Sequence, residues 1–200
     1  MEQISYYISI ASFVLVIICW FIFAGTFLLR KKSAAAPDKT SAPRSLLGIA
    51  LQGVGFGLVW ALHRTPVFSP FIDSQYVLNI VLQVFAVVFA AGAVWLANSA
   101  IRELGKQWSL QARLIEGHKL VTGGVYQIVR HPIYTAMLCK LLATGIIISH
   151  WLVVLAALVI FIIGTLIRTR SEEKLLRDAF GKDYEEWAAK VPGFIPFVKL

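Results

Sequence analysis

Tyr126, Arg130, His131 and Tyr134 fall within one short stretch, Gly124-Val-Tyr-Gln-Ile-Val-Arg-His-Pro-Ile-Tyr134, directly before a long apolar run. A guanidinium, an imidazole and two phenols are costly to hold beside lipid unless they face a cavity or a ligand. Pro132 suits the first turn of a helix, where its missing N–H does no harm. His131 then lies at a helix N-terminus, whose partial positive charge favours an anionic group such as a carboxylate. Tyr134, three residues on, shares its helix face.

A second group follows the last apolar run, in Arg168-Thr-Arg-Ser-Glu172-Glu173. Arg168 and Glu172 are four apart and share a helix face. Alone, such a pair reads as a surface ion pair of little energetic weight. Beside the Arg130-His131-Pro132 segment it reads as a second wall of one site.

The elements that must position these groups belong to a membrane. Of the 200 residues 58% are hydrophobic and 15% are charged, which excludes an ordinary water-soluble domain. Five apolar runs follow one another: Ile4 to Leu29, Leu46 to Leu62, Val77 to about Ala100, Ile133 to Ser149, and Trp151 to Ile167. They predict an all-α integral membrane protein with about five transmembrane helices, the last two forming a tight hairpin around His150. The shorter runs, about 17 residues, reach only about 25 Å and span with thinning or snorkelling flanks. The first run is too long for a signal peptide, is preceded by Glu2, and is followed by Arg30-Lys31-Lys32 as a stop-transfer flank. It is expected to be a retained helix.

The net charge of +8 is explained by membrane topology without invoking nucleic acid. Basic residues concentrate in the first loop, in the third loop (Arg102, Lys106, Arg113, Lys119, Arg130) and after Arg168. The positive-inside rule then puts the N-terminus outside and the C-terminus in the cytoplasm, with the polar clusters on the cytosolic side. Residues 1–100 form an N-terminal three-helix region and residues 101–200 the region that carries the chemistry. Ser33 to Ser45 reads as a flexible loop. Gly53, Gly55 and Gly57 sit within a span and predict close helix packing, since no strand precedes them as a dinucleotide loop requires. Trp60, Trp95, Trp108 and Trp151 are expected to anchor span ends at the membrane interface. Lys140, about two turns into the fourth span, is expected to snorkel to that interface. Cys19 and Cys139 read as small buried hydrophobes, and no metal site is expected.

The ordered motifs carry a resemblance. His118-x-Leu-Val-Thr-x-Gly124-x-Tyr126, Arg130-His131-Pro132-x-Tyr134, Glu172-Glu173, Phe180-Gly181-x-x-Tyr184 and Val191-Pro192-x-Phe-Ile-Pro196 together resemble the isoprenylcysteine carboxyl methyltransferase family, one of the membrane phospholipid methyltransferases. The resemblance covers roughly residues 100 to 197. One departure is Ala136, two residues after the motif tyrosine, where the family usually has Gly. The resemblance implies an enzyme that uses S-adenosyl-L-methionine, in a cytosolic pocket built from the third loop and the C-terminal segment. It implies that Gln107, His118, Leu120, Val121, Tyr126, Arg130, His131, Tyr134 and Glu172 bind the cofactor. Arg130, His131 and the helix N-terminus would hold its carboxylate and Glu172 its ammonium.

Arg168 and Glu172 are the candidate catalytic residues toward a lipophilic methyl acceptor that enters from the bilayer, an isoprenylcysteine-type carboxylate or a lipid headgroup. Arg168 would orient a carboxylate through its fork, and Glu172 would take the proton of an amine. The alternative is an NADPH-dependent membrane reductase of the sterol reductase type, which resembles this family in its C-terminal half. Ile133 and Thr135-Ala136-Met137 stand where such reductases carry polar and acidic groups, which favours the methyltransferase.

Overall fold

The computed structural model describes residues 2–29, 38–41, 43–110 and 113–198. The expected stop-transfer flank Arg30-Lys31-Lys32 lies outside the described residues. Among the described residues six helices make up the fold: α1 (Glu2–Leu28), α2 (Ser45–Ala61), α3 (Tyr76–Leu104), α4 (Pro132–Ile148), α5 (Trp151–Phe180) and α6 (Lys182–Ala188). Short 3-10 turns occupy Gly105–Gln107 and Gly124–Gln127. Strand β1 (Asp38–Ser41) pairs antiparallel with β2 (Arg113–Ile115), so part of the segment expected to be a flexible loop is tied to the loop between α3 and α4.

Among the described residues three helices are long and apolar enough to cross a membrane: Glu2–Leu28, Tyr76–Gln107 with its 3-10 turn, and Trp151–Phe180. The chain is therefore a multi-pass integral membrane protein, but the expected five spans are corrected to three. Helices α2 and α4 have 17 residues each, about 25 Å of rise against a hydrocarbon core of about 30 Å. The apolar residues of α4 serve the interior, with Leu141, Ala143, Ile147 and Ile148 all buried. Hydropathy alone does not separate such a helix from a span.

Close approach of helix backbones holds the bundle together. Along α3, Ala86, Ala90, Ala93, Ala97 and Ala100 recur every three or four residues and are fully buried, a smooth stripe that α4 and α1 pack against. The interface with α1 also pairs polar groups, as Gln83 Nε2 donates to Ser9 Oγ at 2.7 Å. Helix α2 lies on α5 where Gly48 meets Gly164. A Cβ on Gly48 would lie 2.5 Å from the Gly164 carbonyl oxygen, and one on Gly164 would lie 2.8 Å from that of Gly48. Gly55 likewise faces the Ala157 carbonyl, at 3.0 Å from a would-be Cβ, whereas Gly53 and Gly57 face open space. Of the three glycines expected to pack, only Gly55 does.

Two further expectations are corrected. Lys140 does not snorkel: it is fully buried, with Nζ 5.1 Å from the centre of the Trp20 ring and 5.9 Å from that of Phe23. Trp108 is drawn inward against Phe27, ring centres 5.5 Å apart.

The glycine crossing makes a direct prediction. Gly164→Val forces side-chain atoms into the α2 backbone and is expected to cost about 1–3 kcal/mol, lowering the thermal midpoint in detergent by several degrees. Gly57→Ala is expected to leave it unchanged. Equal midpoints for both variants would refute the crossing.

Candidate active site

The loop between α3 and α4 folds back over the end of the bundle and encloses a cavity of about 340 Å³ with α1, α2, α4, α5 and α6. Its walls differ in character. Phe27, Ile49, Gly53, Phe56 and Met137 form an apolar side within the bundle. His118, Tyr126, His131, Tyr134, Arg168 and Glu172 form a polar side under the loop. A volume of this size suits a small organic ligand.

The polar side is organised by two adjacent carboxylates on α5. Glu173 Oε1 lies 3.0 Å from Arg130 Nε, 2.9 Å from Arg130 Nη2 and 3.0 Å from His131 Nε2. Glu172 Oε2 lies 3.4 Å from His131 Nδ1. Both ring nitrogens thus face carboxylate oxygens, an arrangement that only the doubly protonated imidazolium satisfies. Burial alone would disfavour that charge, but hydrogen bonds and attraction from Glu172 and Glu173 outweigh it and raise the His131 pKa above its ordinary value.

Glu172 also accepts a short hydrogen bond from the Tyr134 hydroxyl, and its other cation, Arg168, is 4.0 Å away. The Arg168 guanidinium stacks over Tyr134, with Cζ 4.8 Å from the ring centre. Its Nη1 donates to Gln52 Oε1 at 3.1 Å and its Nη2 to the Leu110 carbonyl, while Nε is buried without a partner. Three cations, Arg130, His131 and Arg168, therefore face two carboxylates. Of these cations Arg168 lies farthest from a carboxylate.

The chain after α6 is strapped onto the same segment. Arg130 N donates to Pro192 O at 2.8 Å, His131 N to Gly193 O at 3.1 Å and Thr135 Oγ1 to Phe194 O at 2.6 Å. Arg130 Nη1 reaches the carbonyls of Ala188 and Val191 at 2.9 and 2.7 Å. Arg130 thus directs its guanidinium at Glu173 and at the C-terminal strap. Buried Phe194 and Val191 anchor the strap. Gly124 opens the turn that carries Tyr126: its φ is +57°, and a Cβ there would lie 2.5 Å from Glu103 Oε1. The Tyr126 phenol is held neutral by burial, then by repulsion from Glu172 and Glu103, which raise its pKa. Burial lowers that of His118.

All ten residues named from the sequence reach this cavity: Gln107, His118, Leu120, Val121, Tyr126, Arg130, His131, Tyr134, Arg168 and Glu172. Gln107 Oε1 accepts from the Lys119 backbone N–H, so its amide pins the loop as well as lining it. Three participants escaped the sequence reading. Gln52 reaches the site from α2, where nothing in an apolar helix marks it except its own polarity. Glu173 was noted only beside Glu172, yet it joins Arg130 to His131. Trp187 lines the cavity with a buried indole Nε1 that has no partner.

Comparison with known proteins follows the same outline. The phospholipid methyltransferase family model matches residues 81–183. The chain is 36% identical over 105 residues to Protein-S-isoprenylcysteine O-methyltransferase B of Arabidopsis thaliana, covering 52% of this chain and 53% of that protein. It is 29% identical over 130 residues to Protein-S-isoprenylcysteine O-methyltransferase of Schizosaccharomyces pombe, covering 62% and 55%. It is also 30% identical over 104 residues to the Cobalt-zinc-cadmium resistance protein CzcN of Cupriavidus metallidurans, covering 50% and 47%. The chain spans about half the length of the curated relatives it matches. With a family match over half of its residues, and with that match containing the charge cluster on α4 and α5, the chain belongs to the phospholipid methyltransferase family.

Proposed function

We propose that this protein is an S-adenosyl-L-methionine-dependent methyltransferase that esterifies a carboxylate on a lipophilic acceptor. The observation that carries the reading is Arg168, which lines the cavity with its guanidinium held by a neutral amide and a carbonyl and with Glu172 4.0 Å away. A carboxylate beside Arg168 would give its guanidinium an ionic partner, whereas an amine there would meet a like charge. The oxygens of Glu172 already face Tyr134 and His131, which leaves it poorly placed to take a proton from an amine. The names of the isoprenylcysteine O-methyltransferases support the same acceptor class.

The residues present fit the cofactor. The buried and unpartnered Nδ1 of His118 and Nε1 of Trp187 line the same cavity and offer polar contacts to a nucleoside or amino-acid end. Leu120 and Val121 offer apolar cover to adenine. Glu172 and the face of Tyr126 offer attraction to the cofactor's ammonium or sulfonium. Bound there, S-adenosyl-L-methionine supplies an electrophilic methyl group, whose transfer to a carboxylate oxygen yields a methyl ester and a neutral thioether. The chain's contribution is positioning and charge. Arg168 orients the acceptor, while His131, Tyr134 and Glu172 set the polar wall. Arg130 acts through Glu173 and the C-terminal strap. The apolar wall admits the lipophilic part. The basic residues of the α3–α4 loop support a site that opens to the cytoplasm.

Three outcomes test this reading. In detergent, S-adenosylhomocysteine is expected to give a calorimetric binding signal; no heat with it and a clear signal with NADPH would transfer the site to the reductase class. Arg168→Lys keeps a charge but loses the planar fork, and is expected to lower methyl ester formation on S-farnesylcysteine about tenfold or more. Unchanged ester formation, with the protein folded, removes Arg168 from the reaction. Third, the raised pKa of His131 fixes a sign. Its imidazolium stabilises the fold fully below the unfolded value of about 6.5, and that contribution is lost as pH rises through the higher folded value. The thermal midpoint is therefore expected to fall from about pH 6 to pH 9, and His131→Gln to flatten the fall. A midpoint that rises over this range contradicts the charged pairing.

A further inference from the structure

Arg168 is held from a side that the family match does not reach. The match covers residues 81–183, and α2 lies before it. The guanidinium stem leaves α5 at the close crossing with α2, where a Cβ on Gly48 would collide with Arg168 Cγ. One turn further along α2, Gln52 is 1% exposed. Its Oε1 accepts from Arg168 Nη1 at 3.1 Å, and its Nε2 donates to Thr165 Oγ1 at 2.9 Å. Arginine can only donate, so the oxygen end of the amide must face Arg168 and the nitrogen end falls to Thr165. Both ends of Gln52 are thereby fixed, and the slot left by Gly48 admits the arginine stem.

The chemistry of this hold matters. Arginines buried in proteins are commonly fixed by carboxylates, which also neutralise them. Here the closest acid, Glu172, is 4.0 Å away and faces Tyr134 and His131. A neutral amide and the Leu110 carbonyl fix the fork instead and leave its charge in place.

We propose that Gln52, seated in α2 beside Gly48, is a positioning residue for Arg168: it orients the guanidinium toward an acceptor carboxylate without cancelling its charge. The inference rests on the acceptor reading above and adds that the N-terminal half of the chain helps to build the acceptor side. It distinguishes Gln52 from a packing residue, because a packing residue would tolerate a change of charge at constant shape less selectively between the two ligands.

The experiment compares the wild type with Gln52→Glu and Gln52→Met in detergent. It reads KM and kcat for S-farnesylcysteine, the dissociation constant of S-adenosylhomocysteine by calorimetry, and the thermal midpoint. Gln52→Glu keeps size and an acceptor for Arg168 but adds a neutralising charge. Its KM for S-farnesylcysteine is expected to rise at least about tenfold, with cofactor affinity within about twofold of wild type. Gln52→Met frees the guanidinium and is expected to lower kcat/KM by a similar factor, again with cofactor affinity retained. Wild-type kinetics in either variant overturns the inference, as does an equal loss of affinity for both ligands. If one variant fails to fold the other decides, and if both fail Gln52 is a structural residue and the inference is wrong. A wild-type protein that binds S-adenosylhomocysteine but does not esterify S-farnesylcysteine rejects the acceptor reading first, and the role of Gln52 with it.

Discussion

The ion pairing of Glu173 with both Arg130 and His131 is the contact on which the site depends. It fastens the far part of α5 to the N-terminus of α4, and through Arg130 it captures the carbonyls that close the C-terminal strap. Removing one partner would leave a buried charge without compensation, which costs several times more than an exposed pair contributes. The pairing also fixes the state of His131, since an imidazole between two carboxylates keeps both protons. Glu172 then has one oxygen turned to His131 and one to Tyr134, which sets the phenol and, through stacking, the plane of Arg168. Five side chains, Arg130, His131, Glu172, Tyr134 and Arg168, are thus ordered from one shared carboxylate.

Such a cluster can be buried only if the helices that carry it approach closely, and small residues allow that. The alanine stripe of α3 brings α4 near enough for the Arg130-His131-Pro132 segment to sit under the loop. The contact between Gly48 and Gly164 brings α2 against α5 one turn before Arg168. In lipid the hydrophobic effect gives little drive to helix association, so backbone proximity and buried hydrogen bonds such as Gln52 to Thr165 take on that work. The same packing explains Lys140, whose ammonium rests between aromatic rings of α1 and helps to join α1 to α4.

The site was more legible in the sequence than the bundle around it. Arg130, His131 and Tyr134 are close in sequence, and Pro132 fixes the start of α4, so local geometry alone brings their side chains together. Arg168 and Glu172 are likewise neighbours on one helical turn. Gln52 was invisible because its meaning comes from the pairing of α2 with α5, a contact across 116 residues that no local pattern encodes. The five-span reading failed for a related reason. Apolar runs report that a helix avoids water, and α4 avoids water inside the protein while α5 avoids it against lipid, with Leu152, Leu155 and Val159 exposed. Trp108 and Lys140 were assigned to the interface on the same assumption, that a residue in a membrane protein faces outward unless marked otherwise.

The distribution of these residues along the chain has a consequence for specificity. The polar wall comes from residues 107 to 187, nearly all within the family match, whereas Phe27, Ile49, Gly53 and Phe56 of the apolar wall come from α1 and α2. If the polar wall serves the cofactor and the apolar wall the lipophilic acceptor, relatives can share the reaction while differing in what they methylate. On that reading a change in α2 would alter the acceptor while the ion pairs of Arg130 and His131 with Glu172 and Glu173, which lie on other elements, stay in place. Arg168 is oriented from both sides, by Tyr134 and by Gln52, and its unpartnered Nε lies where the walls join. On that reading the motif on α4 bears on the chemistry, and the crossing of α2 with α5 bears on the substrate.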